Sequence, residues 1–173
     1  MLATITNYDQ RIAAGKVKEK VILDTLRKHG FVIEEPTKEE DTEDKIDGWI
    51  LENGQRNAVQ VKFRESGDDI IFEVMKDLNR GTVGRDSVSK AHYYLVVDRH
   101  GTARLYLTAP IKKIAQQMIP IAQGLFGTRK TEWKGIGWEL KITTDRAHGN
   151  TKLMAYFNPG KFDCLGEWHV QLT

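Results

Sequence analysis

Three polar side chains stand at offsets that could hold a metal ion and a phosphate. They are Asp47, Gln60 and Lys62, inside the stretch KIDGWILENGQRNAVQVKFR from Lys45 to Arg64. An aspartate offers Mg2+ a hard oxygen ligand. Gln60, two residues before the lysine, offers a second oxygen, and the backbone carbonyl of Val61 between them a third. Lys62 would orient an attacking water or neutralise charge developing on a phosphate. The other reading of the same residues is a solvated sheet face, with Asp47 and Lys62 simply paired across it.

Either reading requires a β-hairpin. Ile46–Leu51 and Asn57–Phe63 are apolar-rich runs, and Asn53-Gly54 lies between them. Asn-Gly suits a type I′ turn, which needs positive φ at both central residues. With a two-residue turn, Glu52 pairs with Gln55, and the count places Asp47 opposite Gln60. Side chains alternate along a strand, so Lys62 shares a face with Gln60. The opposite face carries Ile46, Ile50, Val59, Val61 and Phe63 and is a core face.

Asp47 followed by Gln60-Val61-Lys62 on the next strand resembles the PD-(D/E)XK nuclease superfamily, over roughly the first 100 residues. The usual second acid of that family is a glutamine here, as in some of its restriction and homing enzymes, and glutamine is a neutral, weaker Mg2+ ligand. The resemblance implies an α/β fold of the restriction-endonuclease-like type: a helix, a mixed but mainly antiparallel sheet carrying the site, and a flanking helix. It also implies Mg2+, with Mn2+ able to substitute, and hydrolysis of DNA. Asp47, Glu19, Gln60 and the Val61 carbonyl would hold the metal, and Asp47, Gln60, Lys62 and Glu19 would form the catalytic set.

Glu19 comes from a predicted helix over Tyr8–His29, ended by Gly30. At 100° per residue Ile12, Glu19, Ile22, Leu23 and Leu26 fall within one arc. A carboxylate on that stripe is costly to bury without a partner. It either serves the site, as the first helix of the resembled family often does, or lies at the stripe's edge and reaches water.

Length and composition bound the remaining choices. The 173 residues are 40% hydrophobic and 29% charged, ordinary for one globular unit with a sizeable core. A net charge of +2 neither demands nor excludes nucleic acid. Cys164 is the single cysteine, so no intramolecular disulfide forms, and a reducing, cytoplasmic compartment is expected. Neither a signal-peptide pattern nor a membrane-spanning apolar run is visible, and no small-molecule cofactor is expected.

Elsewhere Phe31–Glu34 reads as a short strand stopped by Pro36, and the acidic Thr37–Asp44 as a loop. Ile70–Met75 reads as a third strand of the same meander, with Glu73 either a further site acid or a solvent-facing residue. Asn79–Lys90 is a basic, glycine-bearing loop running into a short helix. Arg80, Arg85 and Lys90 there are candidate DNA phosphate contacts. His92–Asp98 is a near-continuous apolar strand, covered on both faces, and Ala103–Leu107 returns beside it. A helix starts at Thr108-Ala109-Pro110, with Ile111, Ile114, Ala115, Met118 and Ile119 facing the core, and Pro120 ends or kinks it. Residues 1–121 are taken as the nuclease-like core. Residues 122–173 are taken as a β-rich C-terminal extension on the same domain, with strands at Trp138–Thr143, Lys152–Phe157 and Trp168–Leu172.

The expected function is a Mg2+-dependent DNA endonuclease acting as a homodimer, since cutting both strands of a duplex calls for two active sites. Phage-encoded, homing, restriction and junction-resolving roles are all open. The alternatives are a DNA-binding protein that keeps the fold without turnover, and an interaction domain with no affinity for nucleic acid.

Overall fold

The computed structural model describes residues 7–125, 128–145 and 148–172. Within them the chain is α/β, with a mixed six-stranded sheet, an antiparallel five-stranded sheet and flanking helices. Helix α1 spans Asn7–Lys28 and strand β1 Val32–Glu34. Strands β2 (Gly48–Glu52) and β3 (Gln55–Phe63) form the hairpin. Asn53 and Gly54 have φ of 51° and 74°, the turn their sequence calls for. Glu52 pairs with Gln55 and Gly48 with Val59, the register read from the sequence.

Strand β4 (Ile70–Asp77) does not extend this hairpin. The free edge of β3 is taken in parallel by β6 (Tyr93–Val97), a pairing that continues as far as the bond from Arg64 N–H to the Val97 carbonyl, at 2.8 Å. The expected meander is therefore replaced by a crossover. β4 instead pairs with the short β5 (Thr82–Val83) and with β10 (Asn150–Phe157) in the second sheet. The segment between β5 and β6 holds the short helix α2 (Arg85–Val88). β7 (Thr102–Leu107) follows β6, and α3 runs from Thr108 to Leu125. β8 (Glu132–Gly135) and β9 (Trp138–Asp145) complete the second sheet, and β11 (Gly166–His169) the first. The strand orders are β1-β2-β3-β6-β7-β11 and β5-β4-β10-β9-β8. Position 122 thus falls inside α3, and the strands after it are built into both sheets, β10 beside β4 and β11 beside β7.

Two cores follow from strand alternation. On one face of the first sheet Ile50, Val59, Val61, Leu95 and Val97 pack with Ile22, Leu23 and Leu26 of α1. On the other face Tyr94, Val96 and Tyr106 meet Phe72, Val74, Leu153, Ala155 and Phe157 of the second sheet and Ile111, Ala115 and Met118 of α3. The face that carries Gln60 and Lys62 is therefore an interior face and not a solvated one.

Three local expectations change. Ile12 is 48% exposed, because α1 packs only through its C-terminal half. Pro120 lies within α3 without ending it; Met118, Ala122 and Leu125 around it are all buried, and that packing outweighs the lost bond. The acidic stretch before the hairpin is helical, with a π-turn over Glu40–Asp44. A reciprocal capping box starts it: Glu40 N–H donates to Thr37 Oγ1 at 3.2 Å, and Thr37 N–H to Glu40 Oε2 at 2.8 Å. Lys45, at φ 58°, then turns the chain into β2.

Leu153 on β10 is fully buried between the sheets and α3. Leu153→Ala is expected to lower stability by about 2–5 kcal/mol through lost burial and a residual cavity, read as a shifted urea midpoint with an unchanged slope.

Candidate functional site

Asp47 stands one residue before β2, and its N–H donates at 2.9 Å to the carbonyl of Val59, which is already the partner of Gly48; the ladder slips by one residue here, so the expected pairing of Asp47 with Gln60 is not made. Its carboxylate turns along the sheet edge: Oδ2 accepts the Val61 N–H at 2.7 Å. N–H and C=O of one strand residue point to the same side, so the Val61 carbonyl faces the Asp47 edge too. Asp47 is 6% exposed and Gln60 1% exposed, yet Asp47 Oδ1 and Gln60 Oε1 accept no hydrogen bond from the protein. Buried polar atoms normally find partners, so two orphaned acceptors beside one strand define the site.

Lys62 does not reach across to Asp47. Its ammonium pairs with Asp86 of α2 and lies 4.9 Å from the centre of the Tyr94 ring. The second oxygen of Asp86 accepts the Glu73 N–H at 2.6 Å. Glu73 in turn accepts the Arg85 N–H at 2.9 Å and lies 3.4 Å from Lys152 Nζ, so it is an ion-paired staple between α2, β4 and β10. Gly84 permits this docking. A Cβ there would stand 2.2 Å from the Glu73 carbonyl oxygen, so any side chain would push α2 off β4.

Glu19 is half-buried on α1, 3.5 Å from Lys16 Nζ, which also pairs with Asp41 at 2.5 Å. Two of the cavities that Glu19 lines hold the other candidate residues. One, of about 430 Å3, includes Asp47, Lys16 and Asp41. The other, of about 310 Å3, includes Gln60, Val61, Lys62, Arg85 and Asp86. Burial raises both carboxyl groups. Asp47 is pushed up to about 7, first by desolvation and then by the neighbouring Glu19 charge, with Arg85 and Lys16 opposing. Glu19 is raised by desolvation, again against Lys16 and Arg85. Burial also raises the Tyr94 hydroxyl, keeping it neutral.

Glu19, Asp47, Gln60, Val61, Lys62 and Arg85 therefore border these two cavities, with Glu19 common to both. Arg80 and Lys90 do not. Arg80 sits at the β4–β5 turn, 3.6 Å from Asp77, and Lys90 pairs with Asp44 at 2.8 Å. The basic loop is pinned by β5 and α2, and this separates its three cations. Asp86 is the participant that sequence reading passed over. Its signal was an acid in the first turn of the short helix after Gly84, in a segment weighed only for its basic residues.

Among the described residues no three His, Cys, Asp or Glu side chains converge as a ready metal cage. The oxygen set here is mixed: two carboxylates, one amide and one backbone carbonyl. All are hard donors, which suits Mg2+ rather than a soft metal. No protein-family model, curated protein or solved structure matches the chain.

Two outcomes are expected. Asp47 has a folded-state value above its unfolded one. Its contribution is therefore fully favourable below about 3.8 and is lost as pH rises through about 7. Asp47→Asn should accordingly gain stability on the wild type between pH 4 and pH 8, by at most roughly 4 kcal/mol at the upper end, in paired thermal melts without divalent metal. Asp86→Ala strips Lys62 of its partner and should cost about 2–4 kcal/mol, measured by denaturant unfolding, with Asp86→Asn costing less.

Proposed function

We propose that this chain is a Mg2+-dependent DNA endonuclease with a restriction-endonuclease-like arrangement of its first sheet and α1. The observation that carries the reading is the pair of buried, unpartnered acceptors, Asp47 Oδ1 and Gln60 Oε1, flanking the Val61 carbonyl beside Glu19. An apolar or merely structural site would have no reason to hold two desolvated oxygens without donors. A divalent cation would satisfy both, and would favour the ionised form of Asp47 that burial disfavours.

Asp47, Gln60, the Val61 carbonyl and Glu19 would hold the metal. Bound there, Mg2+ supplies Lewis-acid polarisation of a phosphoryl oxygen and a more acidic water. The protein groups do the rest. Lys62, held in place by Asp86, places positive charge where the phosphorus gains negative charge. Arg85, on the same hollow, adds a second cation for the phosphate. In the reaction water oxygen bonds to phosphorus, one ester oxygen leaves with the bonding pair, and a proton passes to it. Two copies acting together would cut both strands of a duplex, so a homodimer belongs to this reading; Mn2+ would substitute for Mg2+.

One observation favours a second reading, a DNA-binding protein without turnover. Lys62 is already neutralised by Asp86, and Gln60 brings no charge to a metal.

A cleavage assay separates the two. Supercoiled, linear, single-stranded and branched DNA would be incubated with the protein and Mg2+, Mn2+ or EDTA. We expect nicking or linearisation in either metal and none in EDTA, with Asp47→Ala and Lys62→Ala each lowering the rate by about 100-fold or more. Salt-sensitive binding with no cutting in any metal would select the second reading. Absence of both would remove nucleic acid from the account.

A further inference from the structure

Among the described residues, the N-terminal half of α1 offers little apolar packing to the rest of the chain, its Lys16–Asp41 ion pair aside. Ile22 and Leu26 are buried, whereas Ile12 is 48% and Val17 64% exposed. Between positions 10 and 23 this helix carries Arg11, Lys16, Lys18 and Lys20 against the single acid Glu19. Arg11, Gly15 and Glu19, spaced by four, stand above one another on one face. These three line a cavity of about 430 Å3 with Arg85, and a neighbouring one of about 280 Å3 with Val61 and Phe63. Both open beside the hollow that holds Gln60 and Lys62, through the shared Glu19.

Gly15 is the feature that needs a cause. A glycine inside a helix is unfavourable relative to alanine. A Cβ at Gly15 would meet nothing within 4 Å, so no neighbouring element requires its absence. The missing side chain instead leaves the helix surface bare midway between a guanidinium and the candidate metal-binding carboxylate. Something from outside the chain that lies close against the backbone, and is anionic, accounts for both the gap and the charge.

We infer that the Arg11–Gly15–Glu19 face of α1 is the track along which the sugar–phosphate backbone of DNA enters the site. Arg11 and Arg85 contact phosphates on either side of the scissile one, and Gly15 gives the strand clearance against the helix. This rests on the nuclease reading and assigns its substrate path. Of the expected contacts Arg80, Arg85 and Lys90 it keeps Arg85 and adds Arg11 of α1 in place of the other two.

The test uses a fluorescein-labelled duplex and anisotropy titrations in EDTA at several salt concentrations, with wild type, Arg11→Ala, Arg85→Ala, Gly15→Ala and Gly15→Gln. Each arginine variant should weaken binding by about 3–10-fold irrespective of DNA sequence and reduce the salt slope by about 1. Gly15→Gln should raise the melting temperature, because the helix improves, while weakening DNA binding by about tenfold or more; Gly15→Ala should move both in the same directions by less. That opposition of signs is not produced by a merely structural residue. Wild-type affinity and salt slope in all four variants would overturn the inference and leave the nuclease reading standing. No binding by the wild type at low salt would overturn both.

Discussion

A strand covered on both faces must satisfy every polar group it carries from within the protein. β3 is such a strand, with α1 on one side and the second sheet and α3 on the other. Val59 and Val61 meet that condition trivially. Lys62 meets it through Asp86 and the Tyr94 ring, and Asp47 meets it by half, through the Val61 N–H. Gln60 Oε1 and the remaining Asp47 oxygen do not. The rest of the arrangement is a consequence. α2 must lie flat on β4 to deliver Asp86, which is why Gly84 is there, and α1 must pass the end of the hairpin closely enough for Glu19 to share the hollow.

Tolerating such groups has an electrostatic cost that the fold absorbs in a particular way. Burial raises the proton affinity of both Asp47 and Glu19, and the Glu19 charge raises that of Asp47 further, while Lys16 and Arg85 oppose this without closing into a tight ion pair with Asp47. The Asp47 carboxyl is thus neither paired with a cation nor well hydrated, whereas Glu19 keeps Lys16 as a partner. Local stability is given up to keep a desolvated acid at Asp47, the kind of cost that perturbed groups in a cleft carry.

Much of this was legible in the sequence, for local reasons. Asn53-Gly54 dictates its own turn, and a two-residue turn fixes register, so the pairing from Glu52–Gln55 to Gly48–Val59 followed from a few residues; the slip that leaves Asp47 on Val59 rather than Gln60 did not. The apolar run Tyr93–Val97 announced a strand buried on both faces. What could not be read were partnerships between distant segments. Nothing local to Ile70–Asp77 says that β3's free edge is already taken by β6, so the hairpin looked like the start of a meander. Apolar spacing alone placed Ile12 on a packing face, but spacing cannot report where the neighbouring sheet ends. The capping box at Thr37 and Glu40 was present in plain sight, outvoted by the acidity of its surroundings. Asp86 was missed because its meaning depends on Lys62, 24 residues earlier, and only the crossover brings the two together.

The pairing of β4 with β10 joins segments some eighty residues apart, and this shapes how the molecule is made as well as how it stands. Until β10 leaves the ribosome, β4 has only the two-residue β5 along its edges, and its Phe72 and Val74 have no sheet to complete. Every residue of the candidate site is synthesised before that point, yet the surface supporting it is not closed. The nascent chain therefore passes through a period with an open, apolar strand edge, a state prone to self-association. Contacts of such long sequence separation also slow folding, because the loop must be closed before the contact repays it. The candidate site is closed late, after the C-terminal strands have docked, so that a half-made chain carries its residues without the scaffold that positions them.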